Sequence, residues 1–229
     1  MPEPELIIFD CDGVLVDSEI IAARIEADLL TAAGYPISGE ELSQAYAGLT
    51  FKDILLKVEE KSQIPFQASL IDQAEVLVDR RLASEVRAIE GAAAAVAATR
   101  TKRCICSNSR TERLDAMLVR TGLKRFFEGR VFSALETPTG KPKPAPDVFL
   151  FAAEAMGADP ALTFVIEDSV HGIAAAKAAG MRVIGFTGAA HSYPGHADHL
   201  TEAGAETVIR RWSEFVPTLA ALAAWSENA

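Results

Sequence analysis

The hydrophobic pattern changes character twice along the chain. Leu6, Ile7, Ile8 and Phe9 form an apolar run without alternation, which predicts a short strand buried on both faces, as in a parallel sheet. From about residue 18 to about residue 84 apolar positions recur at helical spacing and no β-rich run interrupts them. Helices are expected over 20–33, stopped by Gly34 ahead of Pro36, and over 38–47, opened by the capping-box pair Ser38 and Glu41. After a break at Gly48, Thr50 can cap a third helix over 51–61. Past Pro65 a long amphipathic helix is expected over 67–84, with Leu70, Ala74, Leu77 and Leu82 along one side. An all-helical stretch of this size, directly after the first strand, is a candidate second domain.

Beyond Arg87 short apolar runs alternate with helical segments. Strands are expected over 103–106, 130–132, 163–166 and 182–186, with a weak one over 207–209. Between them lie helices over 91–99, 110–121 and 146–156 and one that follows Ser169 and runs to 179, and a last helix follows Trp212; Gly122, Gly157 and Gly180 supply the stops. This rhythm implies an α/β fold with a parallel sheet and helices on both faces.

Composition narrows the function. The 229 residues are 49% hydrophobic and 24% charged, ordinary for a soluble protein with a sizeable core. A net charge of −10 argues against nucleic-acid partners and against an anionic membrane surface, which call for a basic face. It leaves an anionic small molecule open, because local charge at a site can oppose the average. The acidic start, Met1-Pro2-Glu3-Pro4-Glu5, lacks the features of a secretory signal, and the alanine-rich segments are too short and too weakly apolar to span a bilayer. Cys11, Cys104 and Cys106 suggest no disulfide framework. A cytoplasmic protein, monomeric or weakly dimeric, is expected.

The candidate chemistry sits where strands end. The first strand finishes on Asp10-Cys11-Asp12-Gly13, and a buried strand should not end on two carboxylates unless something positive meets them. Asp10 can attack an electrophile or hold a divalent cation, and Asp12 can exchange a proton with a leaving group; the pair also fits a simple turn, with Gly13 supplying backbone freedom. The second strand ends at Ser107-Asn108-Ser109 and the fourth at Glu167-Asp168. Ser107 offers a hydroxyl and an N–H to a phosphate oxygen, or a helix cap. Carboxylates of the first and fourth strands can share one Mg²⁺ ion. Lys143, in a proline-rich loop, brings the positive charge the cluster lacks, though alone it also fits a solvated surface residue.

Taken together and in this order, the motifs resemble those of the haloacid dehalogenase superfamily, most closely its phosphatase and phosphomutase branch with a helical cap inserted after the first strand. Asp10-Cys11-Asp12-Gly13-Val14 is similar to the family's nucleophile motif, Ser107 to its phosphate-binding motif, Lys143-Pro144-Ala145-Pro146-Asp147 to the third and Glu167-Asp168-Ser169 to the acidic fourth. The resemblance implies a Rossmann-like core over 1–16 and 85–229 and a cap over 17–84. It implies that Asp10 attacks phosphorus to give an aspartyl phosphate and that Asp12 protonates the leaving oxygen and then activates water. Mg²⁺ would be held by Asp10, the carbonyl of Asp12 and Asp168, with Glu167 near or through water, while Ser107 and Lys143 bind phosphoryl oxygens.

Within the family, dehalogenation is disfavoured because Asp12 is present, and phosphonate hydrolysis because no cap lysine matches; Lys52 and Lys57 read as solvated. A β-phosphoglucomutase-like mutase would carry a histidine soon after the first motif, where this chain reads Ile20-Ile21-Ala22, and basic residues at the cap turn, where it reads Tyr46-Ala47-Gly48-Leu49-Thr50-Phe51. Hydrolysis of a small phosphomonoester, a sugar or polyol phosphate, is therefore expected, with a catalytically silent phosphate-binding protein as the non-enzymatic alternative. Ser18, Glu19, Leu49 and Thr50 are the expected cap-side neighbours of the substrate, Ser18 fitting a helix cap equally well. Asn108 is expected to offer phosphate its backbone N–H, the side chain having no assigned part. His171 is placed against the core in preference to the substrate.

Overall fold

β1 (Leu6–Phe9) is fully buried, and its side chains feed two hydrophobic clusters in turn: Ile7 and Phe9 one, Leu6 and Ile8 the other. The computed structural model describes residues 3–46 and 49–225. β1 lies inside a six-stranded parallel sheet with β2 (Lys102–Ser107), β3 (Val131–Ser133), β4 (Thr163–Glu167), β5 (Arg182–Phe186) and β6 (Thr207–Ile209), in the order β3-β2-β1-β4-β5-β6. Phe9 pairs with Ile105 on one side and Ile166 on the other, so the three central strands end close to one level, β4 one residue and β2 two residues past β1. Strand order reverses between β1 and β4, the switch point at whose carboxyl edge open α/β sheets bind ligands.

The helical insert consists of α1 (Glu19–Ala32), α2 (Gly39–Ala45), α3 (Phe51–Ser62) and α4 (Ser69–Glu85). The Ser38–Glu41 capping box and the Thr50 cap both form. Ala23, Leu30, Leu42, Ile54, Leu55 and Val58 give the insert a cluster of its own. The chain leaves and re-enters the sheet side by side: Asp17 N–H donates to Arg87 O at 3.0 Å and Ile89 N–H to Leu15 O at 3.0 Å. One expectation is corrected. The buried side of α4 is Ala74, Val78 and Leu82, at four-residue spacing, and Leu77 is turned outward. The break expected at Gly48 lies outside the described residues.

α5 (Ala92–Ala98), α6 (Thr111–Thr121) and α10 (Phe215–Trp225) cover the Phe9 face of the sheet. There Phe127, Trp212 and Phe215 ring Phe9 at 5.7–5.8 Å between centroids. α7 (Asp147–Met156), α8 (Val170–Ala178) and α9 (His196–Glu202) cover the other face, where Cys104 and Cys106 lie buried beside Leu6 and Ile8. α9 escaped the sequence pattern because only His196 and Leu200 of its residues are buried, too few to generate a helical period.

Candidate active site

Loops leaving the carboxyl ends of the central strands converge beneath the insert. Asp10 follows β1 and is buried, its N–H held by Ile166 O at 3.0 Å. Lys143 reaches it from the loop before α7. Its ammonium donates to Asp10 Oδ1 at 2.6 Å, Glu167 Oε1 at 2.6 Å and Cys106 O at 2.8 Å, which uses all three N–H donors. Burial alone would lower the lysine's pKa, but the charges of Asp10 and Glu167 outweigh it and hold the pKa above its ordinary value. Burial likewise pushes the Asp10 carboxyl up; Lys143 opposes this, while Glu167, Asp168 and Asp12 add to it.

Glu167 is fixed from both sides. Its Oε2 accepts from Ser169 N at 3.2 Å and Ser169 Oγ at 2.9 Å, and Ser169 caps α8 through Gly172 N. A Cβ at Gly172 would lie 1.9 Å from Glu167 Oε1, so only glycine lets the helix come so near the carboxylate. Gly13 serves the same purpose beneath Asp168: its φ is +70° and a Cβ there would lie 1.9 Å from Asp168 Oδ2.

Three hydroxyls orient Asp12. Ser18 Oγ donates to Oδ1 at 2.7 Å; Ser109 Oγ and Ser107 Oγ donate to Oδ2 at 2.8 and 3.1 Å. Ser18 makes no side-chain cap to α1, so its hydroxyl serves Asp12. Ser107 Oγ also accepts Ser109 N–H at 2.9 Å. The Asn108 side chain, left without a part by the sequence, clamps the lysine loop: it accepts Lys143 N–H at 2.8 Å and donates to Lys143 O at 3.4 Å.

The loop after β5 and the start of α9 add groups that sequence reasoning missed. His191 Nε2 lies 3.1 Å from Asp168 Oδ2. Burial works against its imidazolium, but Asp168, with Glu19 and Asp17, raises its pKa to about 9. His196 is buried and its pKa is lowered, chiefly by that burial; its Nε2 lies 2.7 Å from Asp168 O, a contact in which the nitrogen must donate. Ala190 N–H donates to Asp17 Oδ1 at 3.1 Å, tying this loop to the crossing into the insert. The available signal was positional: a histidine just beyond a strand's carboxyl end, on the edge where the aspartates lie.

A cavity of about 590 Å³ opens over these groups. Asp10, Asp12, Ser107, Asn108, Lys143, Glu167 and Asp168 line its floor, and Ser18, Glu19 and Thr50 line it from the insert. Leu49 instead packs into the insert's own cluster, drawn there by its apolar side chain. The Thr50 hydroxyl is engaged as the α3 cap, bonding Asp53 N and Oδ2. His171 is solvent-exposed on the outer side of α8 and meets neither core nor cavity; four positions past Glu167, it has turned away from the sheet. Arg110 and Arg113, three apart at the start of α6, also line the cavity. Glu19 opens to solvent at the cavity mouth yet is crowded by protein; that desolvation, with the charge of Asp12, brings its pKa to about 7.

Carboxylate oxygens of Asp10, Glu167 and Asp168 lie within 4.8 Å of one another. Three buried acids with one lysine between two of them carry surplus negative charge, and an all-oxygen donor set suits a hard divalent cation. Glu167 is committed to Lys143 and Ser169, so Asp10 and Asp168 are the better-placed direct ligands. The residues fit Mg²⁺.

A family model described as haloacid dehalogenase-like hydrolase matches residues 4–180. The 6-phosphogluconate phosphatase of Escherichia coli K12 is 30% identical over 197 residues, covering 85% of this chain and 87% of that protein. Among solved structures, a haloacid dehalogenase-like protein of Agrobacterium tumefaciens C58 superimposes with a TM-score of 0.92 at 56% identity, over 96% of this chain and 99% of that one. A family hydrolase of Deinococcus radiodurans R1, solved with bound phosphate and sodium, gives 0.84 at 32% identity, over 97% and 98%.

Proposed function

The chain belongs to the haloacid dehalogenase-like hydrolases, and we propose that it is a Mg²⁺-dependent phosphatase that hydrolyses a small sugar or polyol phosphate through a phosphorylated Asp10. The observation that carries this reading is the convergence of Asp10, Asp12, Lys143 and Asp168 on one cavity at the sheet's switch point.

In the first step an Asp10 oxygen attacks phosphorus and the bond to the ester oxygen breaks, that oxygen taking a proton from Asp12. In the second, Asp12 removes a proton from water as the water attacks the aspartyl phosphate, releasing inorganic phosphate and restoring Asp10. Ser18, Ser107 and Ser109 hold the Asp12 carboxyl toward the cavity for both transfers. Lys143 fixes Asp10 and brings positive charge toward the phosphoryl oxygens, with Ser107 and the Asn108 N–H as further donors. Asp10, Asp168 and the carbonyl of Asp12 would hold Mg²⁺, Glu167 through water; the ion supplies charge neutralisation that one lysine cannot provide alone. Residues 17–84 act as the cap over the core of residues 1–16 and 85–229, excluding water.

Hydrolysis is favoured over phosphoryl return to the substrate because Ala22 lines the cavity where a mutase-like site would need a base. We also place the protein in the cytoplasm as a monomer or weak homodimer. Its three buried cysteines are free thiols, which suits a reducing compartment, and no helix of the described residues is long and apolar enough to cross a membrane.

Phosphate release from p-nitrophenyl phosphate tests the reading. Turnover should need Mg²⁺, stop with EDTA and return with added Mg²⁺. Asp10→Asn should lower it by roughly 10³-fold or more while the circular dichroism spectrum and melting transition stay cooperative. Wild-type activity in that variant would rule out covalent catalysis by Asp10, and a wild-type protein that binds phosphate without turnover would make it a silent binder.

A further inference from the structure

We propose that the roof of the cavity selects substrates whose end remote from phosphorus is uncharged and rich in hydroxyls, and that Glu19 and the ion-pair cluster of Arg110, Arg113, Glu75 and Asp79 set this preference. The inference deepens the hydrolase reading above and rests on it.

A phosphoryl group seated between Asp10, Lys143 and Ser107 directs the rest of the substrate at the cavity's upper wall. The cations there are already engaged. Arg113 Nε lies 2.5 Å from Asp79 Oδ1, and Arg110 Nη2 lies 3.2 Å from Asp79 Oδ2 and 3.6 Å from Glu75 Oε2. Two arginines of α6 thus face two carboxylates of α4, with no positive charge to spare. Glu19 adds a further acid on the same wall; desolvation first, then the charge of Asp12, raises its pKa against the pull of His191 and Arg113.

A carboxylate or second phosphate on the substrate would have to displace Asp79 from both arginines while lying beside Glu19 and Glu75. Like charges juxtaposed in this way oppose binding. Hydroxyl groups meet no such opposition, because carboxylates accept O–H donors readily. The apolar patch of Ala22, Val78 and Leu82 on the same wall suits the C–H surface of a polyol chain.

The competing possibility is that Asp79 stands where a substrate anion belongs and yields to it. Paired substrates decide between them: sorbitol 6-phosphate and 6-phosphogluconate differ at the remote end by a hydroxymethyl group against a carboxylate. With wild-type protein and Mg²⁺, kcat/KM should favour sorbitol 6-phosphate by about tenfold or more. Calorimetric titration of the Asp10→Asn variant should show the same order in Kd. Asp79→Asn, at an exposed position, should free the arginines and move the ratio toward 6-phosphogluconate by about tenfold. Equal or better use of 6-phosphogluconate by the wild type, or an unchanged ratio in Asp79→Asn, overturns the inference while leaving the hydrolase reading intact. No phosphate release from either substrate or from p-nitrophenyl phosphate overturns both.

Discussion

The floor and the roof of this cavity are both built from acids facing bases, and they use that charge in opposite ways. On the floor the side chains of Lys143, Asp10 and Glu167 are 4%, 9% and 1% exposed. On the roof those of Arg110 and Asp79 are 49% and 40% exposed. Desolvation separates the two cases. A buried charge that loses its partner cannot turn to water, so each floor group fixes the others. An exposed pair is screened and can exchange partners at little cost. The floor can therefore hold one geometry for chemistry, while the roof can change its contacts with the substrate.

The sharpest break of that contrast is Lys143→Met. It strands two buried carboxylates and should cost about 3–5 kcal/mol in stability, read as a lower midpoint in urea, and abolish turnover as well. A wild-type midpoint would mean that the floor is as adaptable as the roof. Gly172→Ala reaches the same cluster sterically. Its Cβ would meet Glu167 Oε1 at 1.9 Å, so the carboxylate must leave Lys143 or Ser169, for a loss of about 1–3 kcal/mol and a weaker apparent affinity for Mg²⁺. Unaltered stability and metal dependence would show that Glu167 has room to move.

The same division explains what could be read in advance. Asp10, Asp12 and Glu167-Asp168 were legible because carboxylates at the end of an apolar strand are anomalous and mark a candidate site, while Lys143, in a loop, was legible only as the positive charge that cluster lacks and by its place in the order of motifs. β5 was legible to the residue (Arg182–Phe186) because its apolar run ends at Thr187-Gly188, and β6 (Thr207–Ile209) showed as a weak strand at that place. The partners of Asp12 were not. Ser18 and Ser109 look like ordinary caps, and only the tertiary structure brings them to one carboxylate from opposite sides of the cavity. His191 sits in a loop of Gly, Ala, Ser and Pro with no period, and His196 at the start of α9, where only it and Leu200 are buried, so nothing local tied them to Asp168. The roof was least legible. Arg110, Arg113, Glu75 and Asp79 carry no local signal in the sequence, and their meaning comes only from α4 lying against α6.

Arg113→Met sharpens the roof side of the comparison. Removing an ion pair with one exposed member should change stability by about 1 kcal/mol or less, in contrast to Lys143→Met, while altering substrate preference. A loss as large as that of the floor variant would mean that the pair holds insert and sheet together and is no adjustable surface.

The smallest effect tests how far the α1 side of the insert shares the floor's desolvation. Glu26 lies on α1 two turns beyond Glu19; burial, with the charge of Glu19, raises its pKa from 4.5 to about 8 against the pull of Arg113. A raised carboxyl pKa means that the folded state holds a proton the unfolded chain has released. Glu26 therefore contributes no destabilisation below pH 4.5, and its contribution turns unfavourable as pH rises toward about 8. Stability measured across that window should decline with pH, and Glu26→Gln, which cannot ionise, should flatten the decline. An unchanged slope would show that Glu26 ionises as freely as a surface acid, and that water reaches it on α1 as it does not reach Asp10.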